Sequence, residues 1–132
     1  MRKKYQSKIP NKVRTIIYWV ITSLLLLELV YGAMWDFNIL NKGFVATVMT
    51  QLGYPSYLPF LLGTSKLLAT ICLIAPKLII VKEWAYAGLM IMFLGAVYSH
   101  SIVGGDTATL VFLSVCIGLT LLSYCFRPNS RR

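Results

Sequence analysis

Acidic side chains are scarce in this chain, with four Asp and Glu against thirteen Lys and Arg, and there is a single histidine in 132 residues. One histidine with scattered carboxylates offers no ligand spacing for a transition metal, so a metal centre is not expected. The three cysteines, Cys72, Cys116 and Cys125, form no C-x-x-C pair and each falls in an apolar segment. They read as small buried hydrophobes rather than a thiol relay. There is no phosphate loop, dinucleotide fingerprint or nucleophile elbow. Without a complete catalytic set, an enzyme acting alone is the least supported reading. Repeats and low-complexity segments are missing too.

What the chain has in abundance is apolar surface. A hydrophobic fraction of 58% and a mean hydropathy of +0.71 exceed the roughly 45–50% apolar content of soluble domains. A helix crossing a hydrocarbon core of ~30 Å needs about 20 mainly apolar residues. Residues 14–34, 57–75, 84–102 and 108–126 meet that requirement or nearly so. The expected fold is an all-α, antiparallel four-helix transmembrane bundle over 14–126, flanked by basic cytoplasmic tails at 1–13 and 127–132. The first span reads as retained, because its apolar stretch is long for a signal peptide.

The net charge of +9 does not point to nucleic acid, because the basic residues sit in short stretches between long apolar segments. Eleven of them (Arg2, Lys3, Lys4, Lys8, Lys12, Arg14, Lys77, Lys82, Arg127, Arg131, Arg132) fall on one side and only Lys42 on the other. That asymmetry places both termini in the cytoplasm and loops 35–56 and 103–107 outside, in what reads as a bacterial inner membrane. Aromatic residues support it, with Tyr18, Trp19, Trp84, Tyr86 and Tyr124 at the inner interface. Tyr31, Trp35, Tyr54, Tyr57 and Tyr98 mark the outer one. The basic lead reads as a solvated tail touching lipid headgroups.

Between the first two spans, "GFVATVMTQLGYP" spaces Phe44, Val45, Val48, Met49 and Leu52 as a short amphipathic helix on the outer surface, ended by Gly53. It serves either as a plain connector packed on the bundle or as a lid, with Tyr54, Pro55 and Asp106 among the loop residues above the helices. Gly88, Met92, Gly95 and Ser99 lie on one face of the third span and predict close approach of a neighbouring helix, with dimerisation as the alternative use.

Charge within a bilayer is costly and normally faces a partner or a cavity. Lys66 lies nine residues inward from Tyr57, or ~14 Å at helical rise. Glu28 lies six residues before Met34, ~9 Å from the same face. The two can pair if the first two spans are neighbours. Glu28, Tyr31 and Trp35 follow one helical stripe, and Pro59, Gly63, Lys66 and Thr70 another. His100 sits near the outer end of the third span, with Asp36 and Asp106 in adjoining positions. Two readings stand side by side: a structural ion pair that specifies packing, and an outward-facing pocket for a ligand or proton.

The stretches "YWVITSLLLL", "LGYPSYLPFLLGTSKLLATICLIAP" and "KEWAYAGLMIMFLGAVYSHSIVGGD" resemble successive signatures of the DoxX-like family of small four-helix membrane proteins. The resemblance covers about residues 18–106, and the blocks "LGYP…LG…K" and "KEWAYAG…SH…GD" carry its specificity. It implies association with terminal-oxidase, thiosulfate:quinone oxidoreductase and other membrane redox assemblies, with no established activity for most members. Where the family pattern carries an acid in the third span this chain has Met92, and where it carries an apolar residue this chain has Glu28. The resemblance therefore implies that the counter-ion of Lys66 has moved to the first helix. The expected function is that of a non-catalytic binding or accessory subunit of a membrane redox system. A pocket around Lys66, Glu28, Tyr31, His100, Thr70 and Trp35 would take a quinone-like or lipid-like molecule. The alternatives are a structural or assembly factor for another membrane protein, and a transporter, which four spans would serve as a homodimer.

Overall fold

A computed structural model describes residues 9–131. Much of the basic lead, residues 2–8, lies outside the described residues, as does Arg132. The described chain is all helical: α1 (Asn11–Asp36), α2 (Phe44–Leu52), α3 (Leu58–Ile74), α4 (Ile79–Val103) and α5 (Thr107–Phe126), then a 3-10 turn at Asn129–Arg131. The helices begin and end where local chemistry requires. Pro10 precedes α1 and a proline opens α3, where a missing N–H costs nothing. Helix α3 stops at Ala75, which is extended (ψ 132°) as a residue before proline prefers. Gly53 ends α2 and Gly104 ends α4 in the left-handed region, at φ 76° and 73°, where a Cβ would be strained.

Three of these helices, α1, α4 and α5, are long and apolar enough to cross a membrane. Helix α3 is a shorter apolar helix of 17 residues, and at helical rise it covers about 25 Å. It falls within the expected span 57–75, while α1 and α4 run beyond theirs at both ends. Helix α1 packs on α3 and α5, and α4 packs on α5 and α3, while α2 rests on α3 and α4. Their shared core joins Leu25 and Leu29 of α1, Ala69 and Leu73 of α3, Tyr86, Leu89 and Phe93 of α4, and Cys116 of α5. Of the cysteines read as buried, only Cys116 is so, with Cys72 half-buried and Cys125 exposed.

Two of the aromatic residues expected at the inner interface are core residues instead. Tyr18 is 0% and Tyr86 3% exposed. The Tyr86 hydroxyl bonds Ser123 Oγ at 2.8 Å, and Ser123 Oγ bonds Thr22 Oγ1 at 2.7 Å. That chain ties α1, α4 and α5 together by groups that satisfy one another where water is excluded. Trp19, Trp84 and Tyr124 remain exposed.

The basic residues at this end are not simply solvated. An α-helix leaves its last carbonyls without partners, and cations there also complement the helix dipole. Arg14 Nη2 donates to the Cys125 carbonyl at 2.8 Å, at the end of α5. Arg131 Nη1 donates to the Leu73 and Ile74 carbonyls at 3.2 and 3.3 Å, at the end of α3, and its guanidinium lies 4.5 Å over the Trp19 ring. Lys82, 1% exposed, donates to the Ala75 carbonyl, and Arg127 pairs with Glu83. These side chains close one end of the molecule.

Candidate functional site

At the opposite end the last turn of α1 crosses α3 at a glycine. A Cβ on Gly63 would stand 3.1 Å from Asp36 Cβ and 3.0 Å from the Phe37 ring. Its absence lets Asp36 approach α3 one turn before Lys66. The Lys66 ammonium then lies 2.8 Å from Asp36 Oδ2. The expected counter-ion, Glu28, is not the one in contact. It belongs to the same cluster one step away: a Cβ on Gly32 would stand 2.9 Å from Lys66 Nζ and 3.3 Å from Glu28 Oε1. Gly32 leaves the space in which the lysine and Glu28 come together. Glu28 Oε2 is buried and has no hydrogen-bond partner among the described residues.

This cluster sits in the wall of a groove of about 910 Å³ between α3 and α4, with α1 behind it. Lys66, Ala69 and Cys72 line it from α3, and Met49 and Leu52 of α2 reach it from above. The α4 wall is the small-residue stripe. Gly88 and Gly95 are exposed and a Cβ on either would meet nothing within 4 Å. No neighbouring helix of this chain closes on either glycine. Gly88 and Gly95 line open space, while Met92 packs against the core and Ser99 is buried, because α4 turns Tyr86, Leu89 and Phe93 to the core.

The segment after α2 is fastened over one end of the groove. Ser99 Oγ donates to the Gly95 carbonyl at 2.8 Å. A serine hydroxyl has a single proton, so the Tyr54 hydroxyl donates in turn to Ser99. Trp35 stacks edge-on against Tyr31 and Phe44, with ring centroids 6.3 and 5.2 Å apart. That contact ties the start of α2 to the end of α1.

Of the residues expected at the site, Lys66, Glu28, Tyr31, Trp35, His100 and Tyr54 all line the groove. Thr70, Pro55 and Asp106 do not. Thr70 Oγ1 is turned back onto its own helix and bonds the Lys66 carbonyl at 2.8 Å. Asp106 is exposed at the start of α5 without a side-chain capping bond. His100 is half-buried, and Gly105 makes room for it: a Cβ there would stand 2.9 Å from His100 Nδ1. Sequence reasoning placed Asp36 only beside the site and missed Gly32. Their spacing from Glu28 on the same helix, eight residues for Asp36 and four for Gly32, was the available signal. No group of histidine, cysteine and carboxylate side chains suited to a metal is present among the described residues.

Neither the curated proteins nor the solved structures contain a match to this chain. A family model does match, over residues 20–123, and it takes in all of α4, most of α1 and α5, the Lys66 cluster and both walls of the groove. The chain belongs to the DoxX-like family, as a membrane protein with apolar helices.

Proposed function

We propose that this DoxX-like protein is a non-catalytic binding or accessory subunit of a membrane redox system, and that its groove holds a quinone-like or lipid-like amphiphile. In this reading α1, α3, α4 and α5 form an antiparallel four-span bundle with both ends in the cytoplasm. Helix α2 lies on the outer face and covers the groove. The observation that carries the reading is the groove's polarity. It is apolar along most of its length, and its Asp, Glu, Lys and Arg side chains are confined to Glu28, Asp36 and Lys66 at the α2 end. A ligand with a polar head and an apolar tail matches that division. The exposed Gly88 and Gly95 give such a ligand a side entrance from the bilayer between α3 and α4.

The test is mass spectrometry of an organic extract of the gently purified protein, run beside Lys66→Met and Gly95→Leu. A stoichiometric amphiphile that Gly95→Leu loses supports the reading, and its loss from Lys66→Met as well gives its head to the lysine. Extracts that all match the bulk membrane reject it. One observation favours a second reading, an assembly factor: the Lys66–Asp36 ion pair joins α1 to α3 with no ligand needed. A membrane protein that co-purifies stoichiometrically while the extracts stay unremarkable favours that second reading.

A further inference from the structure

With every group ionised, the charges in the groove would not balance. Two carboxyl groups, Glu28 and Asp36, face one ammonium, Lys66, which sits against Asp36 at 2.8 Å. Within a bilayer a charge without a partner is expensive, and a buried acceptor without a donor costs further. Glu28 Oε2 is such an acceptor.

Three of the hydroxyls that line the groove are committed elsewhere. Ser65 donates to the Leu61 carbonyl at 2.8 Å, Ser99 to the Gly95 carbonyl, and Tyr54 to Ser99. Glu28 Oε2 is thus left without a donor in a cluster where two carboxyl groups share one lysine. The side chains of the groove leave no free cation to receive an anionic head. From His100 to Trp84 the groove follows α4 for sixteen residues, or about 24 Å. That is length for a fatty tail lying parallel to the helices.

Resting on the reading of the groove as an amphiphile site, we propose that its ligand is a long-chain amine. The ammonium head is held by Glu28 beside the intact Lys66–Asp36 pair, and the tail runs past Gly95 and Gly88 toward Trp84. The head supplies the donor that Glu28 lacks and the counter-ion that an ionised Glu28 would need. An acceptor-only head, such as an ester or a quinone carbonyl, satisfies neither need. A carboxylate head adds to the excess.

The test uses the full chain in nanodiscs and three probes with one tail: tetradecylamine, tetradecanol and tetradecanoate. Native mass spectrometry counts the bound probe, and the thermal midpoint is followed in parallel. Glu28→Gln keeps the shape of the side chain and removes its charge, Glu28→Asp keeps the charge, and Gly95→Leu fills the groove where no atom stands in the way. The same discs carrying each variant report partitioning into lipid alone. The expected result is that the amine binds wild type most tightly and weakens about tenfold or more in Glu28→Gln, the scale of a lost hydrogen bond to a charged group. Glu28→Asp restores part of that binding and Gly95→Leu abolishes it. Equal binding of amine and alcohol, both lost in Gly95→Leu, overturns the amine proposal and keeps the amphiphile groove. Tighter binding of tetradecanoate overturns the proposal by giving the head to Lys66. If no probe distinguishes wild type from Gly95→Leu, the amphiphile reading itself fails, and this proposal with it.

Discussion

Gly32 and Gly88 are both helical glycines, yet the same substitution has opposite consequences at each. At Gly32 an added Cβ meets the Lys66 ammonium at 2.9 Å. Gly32→Ala is therefore expected to push the ammonium away from Asp36 and to destabilise the protein by about 1–3 kcal/mol. In a Lys66→Met background most of that cost is expected to vanish, which thermal unfolding of the two single variants and the double variant measures. A cost unchanged by Lys66→Met would mean that Gly32 matters for something other than the cluster. At Gly88 the added methyl meets nothing within 4 Å, and Gly88→Ala is expected to stabilise by about 0.5–1 kcal/mol through helix propensity. For the ion pair itself, Lys66→Met leaves buried carboxylates without compensation and is expected to cost about 3–5 kcal/mol. Combining it with Asp36→Leu recovers part of the loss. Lys66 stood out in the sequence as a lone charge in an apolar run, so half of this cluster was legible. Its partner was not. Counting residues measures depth along a helix, and Glu28 and Lys66 had suitable depths. Counting says nothing of where two helices cross, and that point, set by Gly63, selects Asp36.

Helix α2 was readable as an element because Gly53 ends it and its apolar residues have helical spacing. How it is attached was not, since Tyr54 and Ser99 are 45 residues apart. Tyr54→Phe removes that hydroxyl pair at a cost of about 0.5–1.5 kcal/mol. The loosened segment is expected to show faster amide exchange in Phe44–Leu52 and no change in the buried core of α1. Uniform acceleration throughout the chain would mean that the bond supports the whole fold rather than the cover. The glycine stripe of α4 illustrates a different limit. Small residues at helical spacing permit a close neighbour, but they equally permit open space, and pattern alone is the same in both cases. Helix α4 turns the face of Tyr86, Leu89 and Phe93 to the core, and that rotation leaves Gly88 and Gly95 along the groove.

At the scale of the whole molecule, charge is sorted by end. Arg14, Lys82, Arg127 and Arg131 gather where α3 and α5 finish, and the Lys66 cluster lies toward α2. In a variant with Cys72, Cys116 and Cys125 replaced by alanine, a single cysteine at Lys42 is expected to react with a membrane-impermeant maleimide applied outside intact cells. One at Lys12 is expected to react only after lysis. The reverse pattern would invert the proposed orientation and turn the α2 cover toward the cytoplasm.

The sequence by itself determined that the chain is apolar and helical, where its helices break, which end collects the cations and that Lys66 needs a partner. All of these follow from local composition, proline and glycine chemistry, and the cost of charge in hydrocarbon. Only the tertiary structure decided which acid Lys66 meets, that Tyr18 and Tyr86 are core rather than interface, that the arginines close helix ends, and that the glycine stripe of α4 borders a groove. Each of these depends on how the helices are rotated and where they cross. Those angles arise from contacts between residues far apart in the chain, and no local period records them.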